Sequence, residues 1–272
     1  MTNMKTGVVK MGHHQIELSN LTLAYQDSGE GKAIVLLHGF CGSHEYWDKV
    51  IPALSETNRV IVPDLPGHGD STFPKGNYGM EYMADTLVEL LDQLELEKVT
   101  LFGHSLGGYI TLAFAEKYEE RLNGFSLIHS TAHPDSEEAK EGRDASIEKV
   151  KSEGIPALIE GLIPKLFAPE NLETHAEDVE KAKEIGKETT EEGAIGMLTA
   201  MKNRPDRNHV IKNSKLPALL IAGERDQVIP PEKTFSVHQE TISQALIKGA
   251  GHMSMMEKPD LLLSEIQDFL KS

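Results

Sequence analysis

Residues 101–108 read Leu101-Phe-Gly-His-Ser-Leu-Gly-Gly108. The apolar run from Val99 to Phe102 ends in Gly-x-Ser-x-Gly (Gly103, Ser105, Gly107). It passes straight into the helical pattern Tyr109-Ile-Thr-Leu-Ala-Phe-Ala-Glu-Lys-Tyr118. A serine hydroxyl is a weak nucleophile unless its Oγ stands clear of the backbone beside a base. A tight strand-to-helix turn provides that, but it crowds the residues around the serine, which must then lack side chains. Gly103, Gly107 and Gly108 meet this demand. The helix that follows aims its first backbone N–H groups at the charge a reacting carbonyl develops. Ordinary glycine-rich loops also match five residues, so the neighbouring segments decide the reading.

Working outward, apolar runs alternate with helical patterns, the signature of a mainly parallel sheet covered on both faces. Strands are expected at 15–18, 21–27, 33–37, 59–63, 99–102, 125–128, 218–222 and 243–247. The first two form a hairpin turning at Ser19-Asn20, an antiparallel edge. Ile34-Val-Leu-Leu37 and Leu219-Leu-Ile-Ala222 are unbroken apolar runs, as strands buried on both faces should be. Helices are expected at 45–54, 78–94, 106–118, 231–239 and 258–270, the last with an apolar stripe of Leu261, Ile266 and Leu270. Between 134 and 208 the alternation stops. That stretch is helical in composition and breaks at Gly154, Pro164 and Pro169. We read it as a helical cap inserted into a sheet domain made of 1–133 and 209–272.

A chain of 272 residues with 39% hydrophobic content and interspersed charge is long enough for one large globular α/β domain with an insertion. Met1 to Lys10 has no apolar segment of signal-peptide length, and no stretch approaches a bilayer span. The single cysteine, Cys41, excludes an intramolecular disulfide and a cysteine zinc cluster, so the cytoplasm is the default compartment. A net charge of −16 argues against a nucleic-acid partner. Much of the acid excess, Glu137-Glu138, Glu177-Asp178-Val-Glu180 and Glu191-Glu192, is interleaved with lysines and reads as solvated helix faces, not a metal site. Oligomeric state leaves no signature in this sequence.

Three segments complete the serine elbow. The first is Leu36-Leu-His-Gly-Phe-Cys-Gly-Ser43, directly after a buried strand. A tetrahedral oxyanion needs two preorganised backbone donors. The N–H of Leu106, next after the serine, is one. Phe40 supplies the other, because Gly39 lets that loop approach closely. His38, at the strand end, is read as ordering the loop and not as the base, and Cys41 as a packing residue. The second segment is Leu220-Ile-Ala-Gly-Glu-Arg-Asp-Gln-Val-Ile-Pro-Pro231, where a strand ends in a turn with two acids. An imidazole base needs a carboxylate on its other nitrogen to fix its tautomer. Asp226, deeper in the loop, is the stronger candidate, and Glu224 is read as bonding within the turn. The end of the preceding strand, Ile128-His-Ser-Thr-Ala-His133, offers no carboxylate. The third is Lys248-Gly-Ala-Gly-His-Met-Ser254. Of twelve histidines, His252 alone follows the last strand and completes the order Ser…Asp…His.

That order and sheet pattern resemble the α/β-hydrolase superfamily. The resemblance runs from Val35 to the C-terminus except in the cap, and takes in Val62-Pro-Asp-Leu-Pro-Gly-His-Gly-Asp-Ser71. It implies an α/β fold with a mostly parallel eight-stranded sheet flanked by helices. It also implies Ser105 as nucleophile, His252 as base, Asp226 as its orienting acid, and Phe40 and Leu106 as oxyanion donors. Members that act on haloalkanes or epoxides place an aspartate at the elbow, so Ser105 argues against both. The cap position and Arg204-Pro-Asp-Arg207 are similar to the small-molecule esterase and lactonase branch.

The expected chemistry is hydrolysis of a small carboxylic ester or lactone through an acyl-enzyme, without metal or organic cofactor. Leu162, Phe167, Met197, Met201 and Met253 are expected at the pocket wall, whose apolar lining with few charges favours a small acyl or alkyl ester. Two rival readings use the same triad: a ligand receptor with one slow turnover, and an acyltransferase or perhydrolase in which another nucleophile replaces water.

Overall fold

The structure, a computed structural model, describes residues 12–76 and 79–271. The Met1–Lys10 reading and the expected helix start at Tyr78 lie outside the described residues. Eight strands form one sheet: β1 (Gly12–Glu17), β2 (Thr22–Ser28), β3 (Lys32–Leu37), β4 (Asn58–Pro63), β5 (Val99–His104), β6 (Leu122–Ile128), β7 (Ala218–Gly223) and β8 (Ile242–Ile247). Their order is β1-β2-β4-β3-β5-β6-β7-β8. The β1–β2 hairpin and the β2–β4 pair are antiparallel, and every other pairing is parallel. The expected fold class is the observed one.

Side-chain alternation builds a core on each face of this sheet. In β3, Ala33, Val35 and Leu37 enter one core while Ile34 and Leu36 enter the other. In β7, Ala218 and Leu220 part from Leu219 and Ile221 in the same way. Both faces of these two strands meet apolar cores, which is why the runs read as continuous apolar sequence.

Ten helices accompany the strands among the described residues: α1 (Ile51–Leu54), α2 (Met80–Gln93), α3 (Leu106–Lys117), α4 (Glu137–Leu162), α5 (Ala176–Lys187), α6 (Glu191–Asn203), α7 (Asn208–Asn213), α8 (Pro231–Thr234), α9 (Ser254–Glu257) and α10 (Pro259–Lys271). Every residue of α3 from Leu106 to Ala115 is buried, so this helix sits inside the molecule and positions the elbow rigidly.

Three expectations shift. The 45–54 helix divides into a 3-10 turn, His44–Trp47, and α1, because Pro52 has no N–H to continue the ladder. The 231–239 helix stops after one turn at Thr234, where Ser236, Val237 and His238 follow, all weak helix formers. In α10, Leu261 is 47% exposed and the buried stripe is Leu262 and Ile266. Residues 261 and 266 are five apart and fall off a common face, whereas a spacing of four keeps one.

Between β6 and β7 the regular structure is all helical, with no strand. Gly154 (φ 79°) kinks α4, and the 3-10 turns Ile163–Leu166 and Pro169–Asn171 each begin with a proline in the first turn. This segment docks on the sheet domain through backbone contacts. Thr190 N–H donates to Gly67 O at 2.9 Å, and His252 N–H donates to Leu166 O at 2.7 Å. Among the described residues no helix is long and apolar enough to cross a membrane.

Candidate active site

The C-terminal ends of parallel strands gather the candidate residues, as a parallel sheet requires. Ser105 follows β5 with φ 50° and ψ −111°, a conformation that costs a non-glycine residue roughly 1–3 kcal/mol. Its surroundings hold it there. Ser105 N–H donates to Ile128 O at 2.9 Å, and Ser105 O accepts from Gly108 N at 2.9 Å and from Ser130 Oγ at 2.7 Å. The close approach falls at two glycines. A Cβ on Gly107 would lie 2.6 Å from Leu37 O, and one on Gly39 would lie 2.7 Å from the His104 ring and 3.3 Å from Ser105 Cβ. The 38–40 loop therefore rests directly against the elbow.

His38 fastens that loop. Its Nε2 accepts from Leu65 N–H at 2.8 Å, so Nδ1 carries the proton and donates to Gly39 O at 2.7 Å. Burial holds the ring neutral, with its pKa lowered to about 4. Nearby, buried Asp64 accepts from His44 N–H at 2.7 Å and lies 2.9 Å from His44 Nδ1, ordering the turn after β4. Among the described residues neither Phe40 N–H nor Leu106 N–H has a hydrogen-bond acceptor. Cys41 is buried, and burial pushes its thiol up to about 12, so it is no thiolate nucleophile.

Asp226 follows β7. Its Oδ1 accepts from Val228 N at 2.8 Å and Ile229 N at 2.9 Å, leaving Oδ2 at 2.7 Å from His252 Nδ1. Burial opposes the charge on Asp226, but His252 and His129 outweigh it and hold the carboxyl well below its ordinary value. His252 Nδ1–H donating to an ionised Asp226 leaves Nε2 as the acceptor a general base requires. Glu224, by contrast, spends its carboxylate on Gly249 N–H at 3.0 Å.

Several members of the site have no local signal in the sequence. Glu257, almost fully buried, accepts from Gly251 N at 2.9 Å and Met253 N at 3.3 Å with Oε1, and from Ala168 N at 2.9 Å and Asn171 Nδ2 at 2.7 Å with Oε2. It clamps both sides of His252. His104 Nε2 lies 2.9 Å from His252 O, and burial holds this ring well below its ordinary pKa. His129, at the end of β6, places Nδ1 3.4 Å from Asp226 Oδ2 and Nε2 2.6 Å from Ser254 Oγ. Donor atoms of His129, Asp226 and His252 lie within 4.8 Å of one another. The 2.7 Å between His252 and Asp226 is a hydrogen bond, shorter than the roughly 3.3 Å between two tetrahedral ligands of one zinc ion. The three could hold such an ion only after that bond opened.

Ser105, His252 and Phe40 share one cavity of about 580 Å³. Of the residues expected at a pocket wall, Leu162 and Met201 line this cavity, and Phe167, Met197 and Met253 do not. These three are fully or almost fully buried in the two cores, where helix packing claims their apolar bulk. The wall also differs in chemistry from expectation: Asp135, Arg143, Arg204 and Lys233 all line it. Periodicity could not reveal these charges, because they meet only when α4, α6 and α8 fold over the sheet.

Among solved structures, an esterase from Thermogutta terrifontis with malate bound is 34% identical to this chain. The match has a TM-score of 0.90 and covers 96% of this chain and 98% of the esterase. An enol-lactonase from Burkholderia xenovorans LB400 is 26% identical, with a TM-score of 0.87 over 95% of this chain and 100% of its own. The dihydrolipoyllysine-residue acetyltransferase component of the acetoin cleaving system of Pseudomonas putida is 29% identical over 91% of this chain, which spans 66% of that protein's length. The alpha/beta hydrolase fold family matches residues 32–259, and with the eight-stranded sheet and the elbow in place the chain belongs to that family.

Proposed function

We propose that the protein is a serine hydrolase that cleaves a small carboxylic ester or lactone through an acyl-enzyme on Ser105. One observation carries the reading: a buried Asp226–His252 pair at 2.7 Å opens on the same cavity as a serine held at φ 50°. The esterase and enol-lactonase similarities support it. In the first step Ser105 Oγ attacks the carbonyl carbon and its proton passes to His252 Nε2. The carbonyl oxygen, now an anion, is held by the N–H groups of Phe40 and Leu106. Asp226 stabilises the imidazolium so formed. The C–O bond to the leaving group breaks as His252 returns the proton to that oxygen. Water, deprotonated by His252, then attacks the acyl-enzyme and regenerates the Ser105 hydroxyl. Residues 134–208 act as the cap in this reading, since Ser136, Leu162 and Met201 close the cavity over residues of the sheet domain.

The test is a panel of ester, thioester, lactone and amide substrates offered to wild type and Ser105→Ala, with a fluorophosphonate probe alongside. Ester and lactone turnover by wild type, lost in S105A, and labelling of Ser105 are expected. Equal activity in both proteins, or an unlabelled Ser105, would overturn the reading.

A further inference from the structure

The charges on the cavity wall do not cancel. Asp135, almost fully buried, spends Oδ1 on Arg204 Nη1 at 2.6 Å and Oδ2 on Arg143 Nε at 3.1 Å. One carboxylate thus answers two guanidiniums, and the cluster keeps a net positive charge. Lys233, on α8 across the cavity, adds a second; among the described residues its ammonium has no ion-pair partner. The Nη groups of Arg143 likewise have no acceptor there.

Arg204 gives the cluster a fixed base. Its side chain is 5% exposed and its guanidinium lies over the Tyr109 ring at 3.9 Å. Met201 O and His133 O take two further donors, and its Nε is buried without a partner. A cationic wall is not what a chain of net charge −16 presents by default. Nor is it what a neutral acyl chain needs, since unpaired cations beside an apolar ligand are desolvated without compensation. A carboxylate offers the matching chemistry, because the planar Arg fork accepts it in two parallel bonds and the lysine adds a point charge.

We propose that the substrate is an acidic ester or lactone, one whose own carboxylate is held by Arg143 and Lys233 while its ester carbonyl faces Ser105. This rests on the hydrolase reading and names the substrate class of the same site. Leu162, Leu166, Met201, Val228 and Ile229 supply the apolar wall that a short methylene chain between the two groups would cover.

The test compares monoethyl glutarate and monoethyl adipate with their ω-amides, which keep the shape and lose the charge, by ethanol release. Wild type should favour the acids over the amides in kcat/KM by about tenfold or more, the size of one charge-assisted hydrogen bond. That ratio should fall towards one in Arg143→Gln and Lys233→Gln, and further in Lys233→Glu. A ratio is unaffected by a variant's general loss of folded protein. A binding readout runs beside it: adipate should slow fluorophosphonate labelling of Ser105, and adipamide should not. Release from the amides with no advantage for the acids would overturn the inference and leave the hydrolase reading standing. An unchanged ratio in all three variants, or equal protection by adipate and adipamide, would overturn it too. No release from either series together with an unlabelled Ser105 would overturn both.

Discussion

Acidifying the protein from about pH 8 to about pH 5 should remove about 4 kcal/mol of stability through two histidines beneath the candidate active site. His38 and His68 are fully buried with ring centroids 5.3 Å apart. Burial lowers His38 to about 4 and His68 to about 3. In the unfolded chain both titrate near 6.5. Below that value the unfolded chain binds protons that the native rings refuse, so stability falls as pH falls. The fall continues until the native rings themselves protonate. At about 1.4 kcal/mol per pH unit, each histidine costs about 2 kcal/mol at pH 5. Burial of His104 and His129 acts in the same direction. His44 runs the other way. Burial alone would lower it, but Asp64 raises it, and that stabilising contribution is present at acid pH and lost on the alkaline side. Asp64 and Asp226, both lowered, lose their contributions only at pH values below about 4. Against a total stability of roughly 5–15 kcal/mol, the predicted loss is large. Urea unfolding across this window, followed by the fluorescence of buried Trp47, measures it directly. His68→Gln removes one titrating ring and should lower the slope by that ring's share, about 1.4 kcal/mol per pH unit. A stability constant to within about 1 kcal/mol across the window, or an unchanged slope in H68Q, would refute the reasoning.

Asp226→Asn keeps the shape but offers an amide to His252 Nδ1 and so favours the wrong tautomer. Turnover on a short ester should fall by up to ~10⁴-fold with little change in KM, and a loss of less than about tenfold would remove Asp226 from the triad. Arg204→Met strips the shorter partner from nearly buried Asp135 and leaves it only Arg143. Urea unfolding at neutral pH should show a loss of about 3 kcal/mol, and a variant as stable as wild type would mean that the pair contributes nothing.

The sheet was legible because both physical signals for it are local. Ile34-Val-Leu-Leu37 and Leu219-Leu-Ile-Ala222 read as strands covered on both sides, and each is an interior strand, β3 between β4 and β5 and β7 between β6 and β8. The geometry of the elbow was legible because steric crowding forces glycine at fixed offsets from the serine, and a Cβ on Gly107 would indeed press against Leu37 O. The helical segment was less legible in kind, not in amount. Gly154, Pro164 and Pro169 announced its breaks, yet which apolar residues face the cavity depends on how α4 and α6 lie over the sheet. Met201 reaches the cavity while Met197, one turn earlier on the same helix, is buried in a core. Glu257 looked like one more acid in an acidic chain. Its role as an acceptor for four N–H groups exists only when Ala168 and Asn171 arrive from nearly ninety residues away.

His129 shows how two demands on one oxygen can be reconciled. Its Nε2 lies 2.6 Å from Ser254 Oγ, and its Nδ1 faces Asp226 Oδ2 at 3.4 Å. If Nε2 carried the proton, the bare Nδ1 lone pair would point at an ionised carboxylate. The reverse arrangement is free of that repulsion: Ser254 Oγ–H donates to Nε2, and Nδ1–H points towards Oδ2. Asp226 then feels N–H groups from two imidazoles on one oxygen and two peptide N–H groups on the other, which is why its carboxylate stays ionised despite burial. The geometry still ranks the imidazoles. His252 holds the 2.7 Å bond, and His129 stands 0.7 Å further off by the same measure, too long for a strong hydrogen bond. His129 thus adds positive potential at Oδ2 without competing for the direction in which Asp226 orients His252.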